Sequence, residues 1–406
     1  VAAGEGFVVD PQLKTWAENR QREYIDAINE YGSISAAARA MGLHTANVSR
    51  SIHGLKARAA AAGYSPEHDM TRTVPEGFTV RGVSTYYDRD GKAAGQWVKS
   101  SADAEARERL MLARIEGFKD ELPTARAIEA PTFADDDLLT IYPQGDPHAG
   151  LASWKDETGA HFDLVEFERI NRAAIDRLVA SAPPSATALF NDKGDSTHAD
   201  DNSNRTRKSG HELDVIGRHS EVVRVVIRLK RYQVARLLEK HRKVIIRIDP
   251  GNHDSQTALF LALIQEAHYQ NEPRVEVITS PNPYWYMGFG ANLIGTCHGD
   301  GAKGKDLPLL MAVDAPQLWA ASESGERLFI AGHVHHKDQK DYPGVTVEYV
   351  RTLAAPDYYS HHAGYRSKRS MDAITLHKAD GIVERQTCSL GRINRLQAAV
   401  ADVMGA

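Results

Sequence analysis

A chain of 406 residues, 42% apolar and 25% charged, has the balance of a folded protein of two or three domains, since single cores stop growing at roughly 250–300 residues. Its 49 Lys+Arg against 54 Asp+Glu leave a formal charge of −5, which excludes a uniformly basic nucleic-acid coat, while the apolar content excludes a disordered chain. No run approaches the roughly 18 consecutive apolar residues of a membrane span, the opening residues lack a signal-peptide pattern, and Cys297 and Cys388 belong to no CxxC pair. A cytoplasmic protein without membrane attachment, disulfide framework or thiolate zinc site is expected.

Three zones follow in chain order: 1–75, 76–137 and 138–406. The first predicts consecutive helices over Trp16–Tyr31, Ser35–Met41 and Thr45–Ala62, with breaks at Gly32-Ser33 and Gly42-Leu43-His44 and hydroxyl residues available as N-caps. The second predicts a β-hairpin from Phe78 to Ser100 around Asp88-Arg89-Asp90-Gly91-Lys92, then a charged helix over 101–121 and a proline- and aspartate-rich linker to Asp137. In the third, short apolar runs alternate with helical stretches. Strands are expected at Leu138–Tyr142, Ala186–Phe190, Lys243–Ile248, Val275–Thr279, Leu293–Thr296, Leu328–Ala331, Val345–Val350 and Ala373–Leu376. Helices are expected at Asp163–Ala182, His211–His241, Ser255–Tyr269 and Lys305–Ala320. Alternation first and hairpin-like strands late predict an α/β domain with a mixed sheet.

Each strand of this third zone runs into a polar cluster, and the ends of strands are where α/β domains gather chemistry. The clusters are Gly145-Asp146-Pro147-His148, Lys193-Gly194-Asp195-Ser196-Thr197-His198, Pro250-Gly251-Asn252-His253-Asp254, Cys297-His298-Gly299-Asp300 and Gly332-His333-Val334-His335-His336. In D-x-H or H-x-H at a strand end, residues i and i+2 point the same way, so both can reach one ion. Asp, Asn and His without Cys suit Mn²⁺, Fe or Zn²⁺, and carboxylates with imidazoles on two ions suit phosphate chemistry. A single histidine beside glycine in a loop is ordinarily just solvated; five such clusters in order, each after a strand, are not a chance pattern.

The ordered set resembles the calcineurin-like metallophosphoesterase superfamily over about 138–390. The resemblance implies a two-sheet sandwich flanked by helices, carrying two divalent metal ions, manganese first and iron or zinc as alternatives. It implies Asp146, His148, Asp195 and His335 as ligands of one ion, and Asp195, Asn252, His298 and His333 as ligands of the other. Asp195 would bridge ions about 3.5–4 Å apart, a bridging water acidified to hydroxide would attack phosphorus in line, and His253 would protonate the leaving oxygen. Two features depart from the family pattern. Asn191-Asp192-Lys193 make the lead-in to Gly194-Asp195 polar, so Asp192 competes with Asp195 for the bridging role, with Asp195 favoured because it follows glycine. His198 stands where a second Asp is usual, and this G-D-x-x-H form resembles the SbcD-like nucleases of DNA double-strand-break repair, in which the histidine lies beside the active site.

Positive charge is concentrated after the second cluster, with 12 Lys or Arg against four acids from Asn202 to Lys243. Arg205, Arg207 and Lys208, in the loop that leaves Asp195, are candidates for phosphate contacts. The helical stripe Arg224, Arg228, Arg231 and Arg242 reads either as a solvated face paired with acids or as a DNA track. The run from Asp357 to Arg369 mixes tyrosines, histidines and bases, and reads either as a surface that stacks nucleobases or as a structural loop. Ser33 to Ile52 resembles the helix-turn-helix of LysR-type regulators and of some phage DNA-packaging proteins: Ala37 and Ala38 permit close helix contact, Gly42 turns the chain, and Val48, Ile52 and Leu55 bury one face. His44, Thr45, Asn47, Ser49 and Arg50 would then face DNA. A small helical packing module is the other reading of this zone.

Together these features predict a metal-dependent nuclease acting on DNA and targeted by its N-terminal helices, an arrangement resembling proteins of bacteriophages and prophages. A phosphoesterase acting on a small or protein phosphoester is the alternative, and a DNA-binding regulator with an inactive metal site a third. Nucleases of this branch commonly act as dimers with an ATPase partner. This sequence holds no G-x-x-x-x-G-K-[ST] phosphate loop and leaves both a homo-oligomer and an ATPase partner open.

Overall fold

The structure, a computed structural model, describes residues 8–68, 70–71, 78–87, 93–102, 125, 127–206 and 210–404. They fall into two compact units, Val1–Arg114 and Ile115–Ala406.

In the first unit a 3₁₀ turn, Pro11–Trp16, precedes α1 (Asn19–Tyr31), α2 (Ile34–Ala40) and α3 (Thr45–Ala61). The first helix therefore starts three residues later than expected, because Trp16 belongs to a separate turn capped by the Asp10 carboxylate. Ser33 caps α2 by accepting from the Ala36 amide at 3.1 Å, and His44 caps α3 through Nδ1 at 3.3 Å from the Ala46 amide. Gly32 and Gly42 take φ of 71° and 68°, the left-handed geometry that ends a helix. Val48, Ile52 and Leu55 pack with Ile25, Ile28, Ala37 and Ala38 into one small core. A short ladder, β1 (Tyr64–Ser65) with β2 (Met70–Thr71), follows, and then the expected hairpin, β3 (Phe78–Tyr87) with β4 (Ala93–Ala102). Residues 101 and 102, expected to open a helix, instead extend the hairpin, since Ala102 pairs with Phe78; the rest of that predicted helix lies outside the described residues.

The second unit opens with β5 (Asp135–Gln144), α4 (Lys155–Thr158), α5 (Leu164–Ser181), β6 (Ser185–Asp192), α6 (His219–Leu238), β7 (Lys243–Ile248), α7 (Ser255–Tyr269) and β8 (Val275–Ile278). It continues through β9 (Trp285–Phe289), β10 (Asn292–Cys297), α8 (Leu307–Asp314), α9 (Pro316–Ala321), β11 (Arg327–Ala331), β12 (Asp338–Tyr342) and β13 (Val345–Tyr349). It closes with α10 (Tyr358–His362), β14 (Ser370–His377), β15 (Gly381–Ser389) and α11 (Leu390–Met404). The strands form a six-stranded sheet, β15-β14-β5-β6-β7-β8, and a five-stranded sheet, β12-β13-β11-β10-β9. Strands β5 to β8 run parallel in the first, and β10, β11 and β13 run parallel in the second.

Period-two alternation explains the layers. Leu139, Ile141, Leu189, Ile245 and Ile374 on one sheet meet Ile294, Leu328 and Ile330 on the other. Their neighbours Tyr142, Phe190, Val244 and Ile246 point outward and pack under α5, α6 and α7, while Leu293, Phe329 and Val347 pack under α8 and α9. The chain is an α/β two-sheet sandwich flanked by helices, as expected. Two predicted helices are corrected. Residues 211–218 do not join α6: they bridge back, Glu212 to Arg205 and Val215 to Leu151, and Gly217 turns at φ 80°. Lys305–Ala320 is split into a 3₁₀ turn, α8 and α9, because Pro316 has no N–H with which to continue the helix. No helix among the described residues is long and apolar enough to cross a membrane.

Candidate metal centre

Strand register places the polar clusters together. Gln144 pairs with Asp192 and Asp192 with Ile248, so β5, β6 and β7 end in line, and Cys297 pairs with Ala331, so β10 and β11 do the same on the facing sheet. Each strand releases its cluster into the same crevice. Five of the six non-glycine residues with positive φ among the described residues are Asp146, His148, Asp195, His333 and His335, at 37° to 69°. Left-handed backbone at a non-glycine residue is strained, and its concentration here marks a built site.

The ligand atoms of Asp146, His148 and His335 lie within 4.8 Å of one another, as do those of Asp195, His298 and His333, and those of His148, His198 and His253. His148 Nε2 and His335 Nε2 are 3.0 Å apart, and His298 Nε2 lies 2.9 Å from Asn252 Oδ1 and 3.4 Å from Asp195 Oδ2. Asp195 Oδ2 is also 3.9 Å from His148 Nε2, which puts this carboxylate between the two groups. All seven expected ligands are thus brought together, with His198 and His253 beside them.

The surrounding hydrogen bonds fix which atom of each ring faces inward. His298 Nδ1 donates to the Lys193 carbonyl at 2.6 Å, leaving Nε2 for the site, and His253 Nδ1 donates to the His198 carbonyl at 2.8 Å. The His253 amide donates to Asp195 Oδ1 at 2.8 Å, and the His333 amide donates to both Asp146 oxygens at 2.9 and 3.0 Å. Thr352 holds the Asp146 carbonyl at 2.7 Å. Buried Asp254 accepts from the Asp195, Thr197 and Gly251 amides and ties two clusters together. Glycine is required where the loops touch: a Cβ on Gly251 would lie 2.1 Å from Asp195 Oδ1, and one on Gly332 would lie 2.7 Å from Asp146 Oδ2.

Burial disfavours every charge here, and the exceptions are informative. It lowers His148 far below the ordinary histidine range and brings His198 to about 3 and His335 to about 4, so these imidazoles are neutral with lone pairs available. Asp195 is also pushed up by burial, but the charge and hydrogen bond of His298 outweigh that and hold it well below the usual carboxylate range. Burial opposes protonation of His298 too, yet Asp195 and Asp146 raise it well above the ordinary value. Asp146, chiefly through burial and against the pull of His298, rises to about 7. Ionised carboxylate, neutral imidazoles and an amide oxygen, with no thiolate, form a donor set fitted to hard or borderline divalent ions.

Asp192, the competitor for the bridging role, is occupied elsewhere. It pairs with the buried Lys230 ammonium and accepts from Ser196 Oγ and, at 3.1 Å, from the Gly194 amide. A second buried network lies between the sheets. Lys193 Nζ donates to Asp249 at 2.8 Å, to Asn191 at 3.1 Å and to the Ile330 carbonyl at 2.7 Å, while Arg247 and Thr296 bind the other Asp249 oxygen at 2.8 and 3.1 Å. Sequence reading passed over Lys193, Arg247, Asp249 and Asp254 as partners; the polar lead-in to Gly194 was the available signal.

The other expected contacts are less concentrated. Arg205 is exposed and paired with Glu212, and Arg207 and Lys208 lie outside the described residues. In the arginine stripe, Arg228 pairs with Glu168 and Arg242 with Asp136 at 3.0 Å, so those two serve as ion-paired surface. In the first unit Asn47, Ser49 and Arg50 are exposed on α3 and Thr45 is half-buried.

A comparison with family models gives no match, and neither does one with curated proteins. Among solved structures, the chain is similar to a predicted phosphoesterase from Streptococcus pneumoniae TIGR4 at 11% identity and TM-score 0.25, over 62% of this chain and 98% of that one. It is similar to Zn²⁺-complexed wild-type Vps29 from Entamoeba histolytica at 14% identity and TM-score 0.25, again over 62% and 98%. For a 5'-nucleotidase from Candida albicans SC5314 the values are 11% and 0.32, over 67% of this chain and 56% of that one.

Proposed function

We propose that the chain is a calcineurin-like metallophosphoesterase of the nuclease type, hydrolysing phosphodiesters of DNA at a dinuclear centre. The observation carrying this reading is the convergence of seven ligand-type side chains from five strand-end loops on one crevice, five of them on left-handed backbone. Asp146, His148, Asp195 and His335 would hold one divalent ion, and Asp195, Asn252, His298 and His333 the other, manganese being the first choice and iron and zinc compatible with the same donors. Bound there, the ions would supply Lewis acidity to the phosphoryl oxygens and an acidified water as nucleophile.

The chain's own residues do the rest. Asp195, kept ionised, would serve both ions. His253, oriented by its Nδ1–H bond to the His198 carbonyl, presents Nε2 as general acid to the leaving oxygen. His148, with Nε2 turned to an ion, would carry its proton on Nδ1 and hydrogen-bond through it to His198 Nδ1, 3.1 Å away. The proton of His198 would then be on Nε2, a buried atom with no partner among the described residues, and could be offered to a substrate oxygen. Support for DNA comes from the G-D-x-x-H histidine and from the three-helix N-terminal unit, whose α3 exposes Asn47, Ser49 and Arg50 as a reading helix would.

The test is cleavage of supercoiled, linear duplex and single-stranded DNA with Mn²⁺ or with EDTA, alongside Asn252→Ala and His253→Ala. Cleavage that needs metal and falls at least about 100-fold in both variants is expected. Intact DNA with hydrolysis of a small phosphodiester would move the assignment to a small or protein phosphoester.

A further inference from the structure

Among the described residues of the second unit, the exposed large aromatic side chains are Phe133, Trp154, Tyr358, Tyr359 and Tyr365, and four of these five lie in two segments that pack on one another. Trp154 is 64% exposed and Tyr359 68%. The Ser153 hydroxyl donates to the Pro356 carbonyl at 2.8 Å, and α4, which follows Trp154, packs against α10, which carries both tyrosines. Both segments are rooted at the metal centre. Trp154 lies six residues beyond His148, and the loop carrying the tyrosines leaves from Thr352, whose hydroxyl binds the Asp146 carbonyl.

Exposed rings on two packed segments that both lead from the metal centre suit an occupant with flat apolar faces and an anionic linkage between them. Tyr358 stacks on His362, with centroids 5.9 Å apart and planes at 12°, and exposed Lys368 follows in the same loop. We propose that Trp154, Tyr358 and Tyr359 form a shelf on which unpaired bases of a single-stranded nucleic acid stack while its phosphodiester enters the metal centre; this rests on the nuclease reading above. Bases of any sequence offer a π face, so the shelf confers preference for unpaired strands without sequence choice.

Binding of a labelled twelve-nucleotide thymidine strand and of an abasic strand with the same phosphates, measured by anisotropy on the full chain in EDTA, tests the shelf. The unaltered chain should hold the thymidine strand at least about tenfold more tightly, and Trp154→Ala and Tyr359→Ala should each lose about 5- to 50-fold on that strand while changing little on the abasic one. Trp154→Phe and Tyr359→Phe should restore most of the loss, whereas a folding defect would weaken the abasic strand as much as the thymidine strand. Equal affinity of the unaltered chain for the two strands, no binding of either, or equal losses on both in the alanine variants would overturn the proposal. Hydrolysis of bis(p-nitrophenyl) phosphate with Mn²⁺ separates the two readings. Turnover without base-dependent binding removes the shelf and leaves the phosphoesterase; base-dependent binding without turnover of any diester leaves the shelf and removes the catalytic reading.

Discussion

Lys193 shows what a single residue contributes beneath the site. Its ammonium is fully buried and makes three hydrogen bonds, one of them to Asp249, while its carbonyl takes the His298 Nδ1 proton. Removing one partner of a buried ion pair leaves the other desolvated and uncompensated, so Lys193→Met should destabilise the chain by about 3–5 kcal/mol, although Arg247 still contacts Asp249. Urea unfolding would measure this, and a loss under about 1 kcal/mol would mean that the pair is not what holds β6 to the facing sheet. The ligand residues were legible in the sequence because chemistry of this kind repeats a short local pattern at each strand end. The supporting charges were not. Lys193 finds its partners 56 and 137 positions away, and no local pattern encodes that distance. The same polar stretch that made Asp192 a rival to Asp195 turns out to be two buried networks, one on each face of the sheet.

Elements buried on both faces announce themselves, and solvent-exposed edges do not. Strands β6, β7, β10 and β11 are continuous apolar runs and fall within a residue or two of expectation, whereas β12, Asp-Gln-Lys-Asp-Tyr, is a largely exposed edge whose side chains carry no burial signal. Strand β15 is also an edge and mixes Val383 and Glu384 in solvent, so it was missed along with α11. In the first unit the helices are set by caps and by one apolar stripe, which is why α2 and α3 were found almost to the residue. Helix α3 nonetheless carries Gly54 in its interior, where an added Cβ would meet nothing within 4 Å. Gly54→Ala should therefore stabilise α3 by about 0.5–1 kcal/mol, through lower backbone freedom in the unfolded chain. Hydrogen exchange of the 45–61 segment in the full chain should slow about two- to fivefold. Unchanged or faster exchange would show that Gly54 is kept for a close approach the helix makes elsewhere.

Over the whole molecule, the response to pH follows from where histidines are buried. His148, His198, His241 and His335 are all pushed down by desolvation, His241 to about 4. His241 is the informative one, because it sits apart from the metal centre, with Nε2 2.9 Å from the Tyr142 hydroxyl and Nδ1 2.8 Å from the Ser185 carbonyl. In the unfolded chain it takes a proton near pH 6.5; in the folded chain it does not until about pH 4. The unfolded state thus binds more protons between these values, so stability is full above about 6.5 and falls as the pH drops toward 4, by about 3 kcal/mol for this one group. His298 runs the other way: its raised value adds stability below about 6.5 that is lost as the pH rises through its folded value, and a metal ion displacing that proton would bind more tightly at higher pH. Two metal-free proteins, unaltered and His241→Gln, unfolded in urea between pH 7.5 and 4.5, separate these contributions. The unaltered chain should lose stability steadily below 6.5, and His241→Gln, though weaker at pH 7.5 for want of its hydrogen bonds, should lose it with a slope shallower by up to one proton. Parallel slopes would place the acid sensitivity in the other histidines lowered by burial, His219 and those of the metal centre, and saturating Mn²⁺, which would displace the proton of His298, would then steepen the fall rather than leave it unchanged.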